Sequence, residues 1–217
     1  MPSLALMLMM LSATGGAGAS ATGRAPLRVR ATAAVAPCVE AAARAYEKKT
    51  GRAIVETGTL LDAATADVLV GAAVEVTRAL ESGAAAVDSD ALVARVPWVL
   101  VVTAGNPYHL GGLGDAARAG IEVWVAGGAA AHAARRAAEA AAPSRVREAS
   151  DGTVPNGAAA ALAPLCLAGS GERVPVDLPD LVVEAAVSAR AARPDAARDF
   201  VAFLASPDGR RAFAAGP

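Results

Sequence analysis

Three short stretches combine small residues and hydroxyls at points where a strand gives way to a helix. Thr32-Ala33-Ala34-Val35 precedes a helix opened by Pro37, Thr57-Gly58-Thr59 follows a β-rich run, and Gly127-Gly128-Ala129 stands directly before an alanine-rich helical stretch. Such junctions can hold an anion without lysine or arginine. The unpaired N–H groups at a helix start carry partial positive charge, hydroxyls add donors, and glycine lets backbone approach a ligand closely. The chemistry this predicts is binding of a small oxyanion, with no bond made or broken.

The other reactive side chains do not assemble a reaction centre. His109 and His132 are the only histidines, one in a loop and one in an alanine-rich helix, so no metal site is expected. Neither Cys38 nor Cys166 has a histidine at a spacing that marks a nucleophile pair. Gly111-Gly112-Leu113-Gly114 lacks the Lys-Ser/Thr ending of a phosphate loop and reads as a turn opening a short helix. Asp62, Asp67 and Asp88 read as caps and solvated faces, and Arg135, Arg136, Arg145 and Arg147 as a solvated basic surface. The expectation is a protein that is not an enzyme and takes no cofactor. Two cysteines are too few for a disulfide framework. They read as buried thiols acting as small hydrophobes, with a single bridge left open in an oxidising compartment.

Composition sets the frame for these sites. The chain has 217 residues, 54% hydrophobic but only 3% aromatic, so its core must be built from close-packed Ala, Val and Leu. Twenty Lys plus Arg against 21 Asp plus Glu leave a formal net charge of -1. No global field is available to hold a polyanion, so nucleic acid is excluded as a partner. Residues 1–26 read as a signal peptide or leader. The Leu4 to Leu11 run is shorter than the roughly 20 residues of a membrane span, and Ala17-Gly18-Ala19 supplies a small-x-small cleavage pattern. No Lys or Arg precedes Arg24, and no cysteine follows the run to be lipidated.

Strand and helix signals alternate through the rest, the pattern of a sheet covered by helices. Strands are predicted at Leu27–Ala31, Ala53–Glu56, Asp67–Val70, Ile121–Ala126, around Val146 and at Leu181–Val187. Val39, Ala42, Ala43 and Tyr46 share one helical face, as do Ala197, Phe200, Val201 and Leu204, and Ser206-Pro207-Asp208 is a helix start. Helices are also predicted over Val74–Leu80 and Ala129–Ala142. Pro97 interrupts the apolar run from Leu92 to Val102, which a central strand would not tolerate, so this run reads as a crossing between lobes. The stretch from 153 to 171 carries almost no signal.

In this order the residues resemble the periplasmic molybdate-binding protein family, among the bilobed solute-binding proteins of ABC transporters. The likeness is carried by Val29 to Gly51, by Thr57-Gly58-Thr59-Leu60, and by Ala66-Asp67-Val68-Leu69-Val70. Val99 to Val102 with Gly105-Asn106-Pro107, and the ending from Ala197 to Phe213, complete it. The resemblance implies an α/β, two-lobed periplasmic-binding-protein-like fold, each lobe a mostly parallel sheet flanked by helices and joined by two crossing strands. It implies lobe I at 27–100 and 182–217, lobe II at 101–181, and closure about Trp98–Val102 and Val182–Val187.

It further implies an exported, extracytoplasmic monomer that binds a molybdate- or tungstate-like anion in the cleft and delivers it to an ABC-transporter permease. The implied contacts are Thr32, Ala34, Thr57, Gly58, Thr59, Gly128 and Ala129. Ala34 and Leu167 stand where the family places a serine and a tyrosine, so two of its donors are missing here. A divergent protein of the same fold that senses another small ligand or binds a protein partner remains the alternative. So does an effector-binding module of a regulator, although an apolar leader occupies the place of a helix-turn-helix.

Overall fold

The computed structural model describes residues 25–50, 52–62, 64–141, 145–149, 154, 156–169 and 171–216. The apolar run and small-x-small pattern of the leader lie outside them.

Strand β1 (Leu27–Ala31) buries Leu27, Val29 and Ala31 and turns Arg28 and Arg30 to the opposite face. Helix α1 (Ala36–Glu47) follows, with Pro37 in its first turn, where a missing N–H does no harm. Its expected face of Val39, Ala42, Ala43 and Tyr46 is buried, and Ala36 and Cys38 extend it. Next come β2 (Ala53–Thr57), β3 (Val68–Ala72), α2 (Ala73–Glu81) and β4 (Ala91–Val96). After Pro97 the chain continues as β5 (Trp98–Val102), α3 (Leu113–Arg118) and β6 (Val123–Val125). A 3-10 turn at Gly128–Ala131 then runs into α4 (His132–Ala141), before β7 (Val146–Glu148) and β8 (Ala160–Pro164). A second 3-10 turn, Leu165–Leu167, leads to β9 (Glu172–Pro175), and β10 (Leu181–Val187), α5 (Pro194–Ala205) and α6 (Pro207–Ala214) close the sequence.

The strands form two sheets of the same topology, ordered β2-β1-β3-β10-β4 and β7-β6-β8-β5-β9. In the first, β1 runs parallel to β2 and β3, while β10 is antiparallel to β3 and β4. In the second, β6 runs parallel to β7 and β8, and β5 is antiparallel to β8 and β9. Each sheet is therefore mixed but mostly parallel in direction, four strands running one way and one, β10 or β5, against them. The reason is topological: β5 and β10 are the strands that arrive from the other lobe, so they enter their sheets from the opposite end.

The crossings lie directly before the two strands expected to make them, β5 and β10. Trp98–Val102 and Val182–Val187 are paired within their sheets along their length. The chain passes between sheets at Pro97 and through 176–180, so strand β5, placed in lobe I up to residue 100 by the resemblance, belongs to the second sheet.

Strands β3, β5 and β8 are buried throughout, as strands covered on both faces must be. Val68 and Val70 pack on the α1 side of the first sheet, and Leu69 packs with Val76 and Ala79 of α2 on the other. Few aromatics exist, and three of them meet here. Tyr46 stands edge-on to Phe200 with ring centroids 4.9 Å apart and lies 5.3 Å from Phe203, fastening α1 to α5. Ser206 caps α6 by accepting the Gly209 amide at 3.1 Å.

One polar network ties distant segments. Asp67, 2% exposed, accepts the Arg28 amide at 2.9 Å and pairs with the Arg193 guanidinium at 2.9 Å. Arg193 in turn donates to the carbonyls of Ala25 and Pro26, so the starts of β1 and β3 are bound to the turn before α5. Burial by itself would raise the Asp67 pKa. The Arg28 amide and Arg193 outweigh it, and the carboxyl sits below its ordinary value.

Cys38 and Cys166 form a disulfide with Cα atoms 5.5 Å apart, which corrects the reading of two free thiols. One belongs to α1 of the first lobe and the other to the turn after β8 of the second. Both lie beside the Pro97 crossing, where the lobes come together.

Candidate functional site

A cleft of about 470 Å³ opens between the lobes. Thr32 and Ala33, after β1, line one wall, and the loop from Thr57 to Leu61, after β2, lines it beside them. Gly127, Gly128 and Ala129 line the opposite wall. These follow β6, which holds in the second sheet the place that β1 holds in the first. The site is thus two equivalent strand-to-helix junctions set face to face. The cleft continues into a second chamber of about 480 Å³, past Gly128, Ala129 and Arg78 toward His132, Arg135 and Glu148.

The first junction is shaped by a turn in which the Thr32 carbonyl accepts the amides of Val35 and Ala36, each at 3.0 Å. Among the described residues the amides of Ala33 and Ala34 give no backbone hydrogen bond, so donors are left at the start of α1. Thr32 is 7% exposed, and its Oγ1 is buried without a hydrogen-bond partner. Native interiors rarely leave such a group unpaired. Ala34 is buried in the hydrophobic core and does not line the cleft.

In the second loop Gly58 donates to the Ala31 carbonyl at 2.9 Å, which extends the β1–β2 ladder by one residue. The Thr57 side chain is exposed, and the Thr59 hydroxyl donates to Asp62 at 2.8 Å. Arg30 lies under this loop. A Cβ at Gly58 would stand 2.5 Å from its Nη1, so the glycine makes room for the guanidinium. Arg30 pairs with Glu56 at 3.2 Å, but its Nε is buried and unpartnered. On the opposite wall Gly127 (φ 116) and Gly128 (φ 57) both take left-handed backbone, which only glycine adopts without strain. Any side chain at Gly127 would also press on Trp98, 3.3 Å from the Cβ position.

Two charged residues of the cleft were missed by sequence reasoning. Glu75 and Arg78 both project from α2. Glu75 Oε2 accepts the Ala72 amide at 2.9 Å, the carboxylate half of a capping box whose other half is absent because alanine has no side-chain acceptor. Burial pushes the Glu75 carboxyl above its ordinary range. The Ala72 amide, the neighbouring Thr32 hydroxyl and Arg78 pull it back only in part. Thr32 is close enough to influence Glu75, yet it meets no hydrogen-bond geometry with it. The readable signal was an acid at the third position of the helix directly after β3, a place that faces the cleft in this topology. Leu167 lies in the turn after β8, next to the disulfide, and does not line this cleft. Among the described residues no group of three His, Cys, Asp or Glu gathers as a metal site, and no helix is long and apolar enough to cross a membrane.

Strand order and cleft together define the class: the chain has the two-lobed α/β fold of periplasmic solute-binding proteins. Solved structures agree. The Azotobacter vinelandii periplasmic molybdate-binding protein superposes with a TM-score of 0.67 at 18% identity, covering 87% of this chain and 96% of that one. The sulfate-binding protein SubI of Mycobacterium tuberculosis H37Rv gives 0.68 at 18% identity, covering 88% and 85%. Peb3 of Campylobacter jejuni gives 0.69 at 17% identity, covering 87% and 96%. No protein-family model and no curated protein sequence matches the chain.

Proposed function

We propose that this protein is the exported solute-binding component of an ABC uptake transporter and that it closes its two lobes over a small oxyanion. The anion is held by Thr32, Thr57, Gly58 and Thr59 and by the backbone near Ala34 on one side, and by Gly128 and Ala129 on the other. The observation that carries the reading is the buried, unpartnered Thr32 hydroxyl in the wall of a cleft where two equivalent helix-start junctions converge. Arg78 in the lining supplies a positive charge to the cleft. The Cys38–Cys166 disulfide suits an oxidising, extracytoplasmic compartment. Likeness to proteins named for binding molybdate and sulfate supports an anion, and catalysis has no part in the proposal. Closure about Pro97 and 176–180 would present a membrane permease with one compact surface.

The experiment is a thermal-shift panel of molybdate, tungstate, sulfate and phosphate on the mature protein. An anion at a hundred times its Kd adds about 2.7 kcal/mol of stability, which is readily seen as a rise in Tm. Thr32→Val should not lower the ligand-free Tm, because an apolar group of the same shape replaces a buried hydroxyl that lacks a well-aligned partner. Affinity should fall roughly tenfold to a hundredfold, the loss of one hydrogen bond to a charged ligand. Unaltered affinity in this variant would place the site elsewhere.

A further inference from the structure

The carboxylate in the cleft bears on which oxyanion is bound, given the reading of the cleft as an anion site. Glu75 and Arg78 are the two charged side chains of its lining. Glu75 is not a loose surface acid. Its Oε2 is anchored on the Ala72 amide. The Gly71 backbone closes up against both Glu75 and Thr32, since a Cβ there would lie 3.0 Å from Glu75 Oε2 and 3.1 Å from Thr32 Cγ2. Strand end, hydroxyl and carboxylate therefore form one rigid corner.

A carboxylate accepts hydrogen bonds and gives none. Next to a fully deprotonated dianion it adds only repulsion. Next to an anion that carries a hydrogen on oxygen, it becomes the acceptor for that hydrogen, while the adjacent Thr32 hydroxyl can rotate to donate to an ionised oxygen. We propose that Glu75 makes the cleft selective for oxyanions bearing their own O–H, such as hydrogen phosphate or a small hydroxy acid, over tetrahedral dianions without one, such as sulfate and molybdate. Hydrogen phosphate and sulfate match in shape and in charge, so the discrimination rests on one proton. A site that pairs a buried acceptor with its ligand's donor can reject an analogue lacking it far more strongly than size or shape allows.

The test is titration calorimetry at neutral pH with four probes, sulfate, molybdate, inorganic phosphate and lactate, on the wild type and on Glu75→Gln. The amide of this variant can donate to an oxyanion, and its carbonyl can still accept from Ala72. The wild type should bind phosphate or lactate at least tenfold more tightly than sulfate and molybdate, and which of the two leads separates an inorganic from an organic ligand. Glu75→Gln should raise sulfate affinity at least tenfold and collapse the ratio. Thr32→Val, as a control, should weaken the anions together and keep the ratio. Wild type that binds sulfate within threefold of both phosphate and lactate, or a ratio unmoved by Glu75→Gln, would overturn this selectivity and leave the anion site standing. Absence of binding by all four probes in both proteins would overturn both.

Discussion

Cutting the inter-lobe disulfide is the most direct perturbation of this architecture. Cys38 and Cys166 are separated by 128 residues, so the covalent loop spans most of the described chain. In the chain-entropy treatment, closing a loop of that length removes about 17 cal/mol/K from the unfolded ensemble, or about 5 kcal/mol at 25 °C. That is a large share of a typical folding free energy of about 5–15 kcal/mol. The assay is urea unfolding of the oxidised wild type, the reduced wild type and the Cys38→Ala/Cys166→Ala double variant. Alanine suits both positions, since the cysteines are 4% and 2% exposed and a serine would bury a hydroxyl.

Trp98 and Trp124 both lie in the second sheet, so their fluorescence reports one lobe while far-UV circular dichroism reports both. Cutting the link should lower stability by several kcal/mol. It should also separate the two transitions, because the remaining covalent connections are the Pro97 crossing and 176–180. Denatured, unreduced protein should show no free thiol. An oxidised and a reduced midpoint that coincide would refute the entropic reasoning, and two titratable thiols would refute the bridge itself.

Other residues give equally definite expectations. Asp67→Ala leaves Arg193 and the Arg28 amide without their shared partner and should cost roughly 1.5–3 kcal/mol in chemical denaturation. Because the folded pKa of Asp67 lies below its unfolded value, its contribution is complete above about pH 4. It is lost as pH falls from there through the lowered folded value. Wild-type stability should therefore drop across that acid range, and the drop should be shallower in Asp67→Asn. Phe200→Ala empties a fully buried site against Tyr46 and should cost roughly 3–5 kcal/mol by the same denaturation assay.

Much of the fold was legible because strands and helices here bury one face. The Val39, Ala42, Ala43, Tyr46 stripe and the Ala197, Phe200, Val201, Leu204 stripe are local periodicities, and both are buried as drawn. Ser206 announces its helix by side-chain chemistry alone. Strand β8 was not legible. Its sequence Ala-Ala-Leu-Ala-Pro has no strand propensity, and it becomes a central strand only because β5 and β6 pair on either side of it. The one reversed strand of each sheet was hidden for a similar reason, since the sense of a strand depends on which lobe the chain comes from.

The site divides along the same line. Thr32, Thr57-Gly58-Thr59 and Gly128-Ala129 were readable as junction residues, because helix starts and glycine turns are properties of a few consecutive positions. That they line one cleft follows from two sheets of identical order meeting at matching loops, which no local signal contains. Arg30 beneath Gly58, Glu75 anchored on Ala72, and Cys38 joined to Cys166 are pairings between distant segments or across a helix start. The sequence by itself determined which stretches form strand-to-helix junctions rich in glycine and hydroxyls. The tertiary structure alone decided that a carboxylate would stand among them, because burial and proximity belong to the folded chain rather than to the order of its residues.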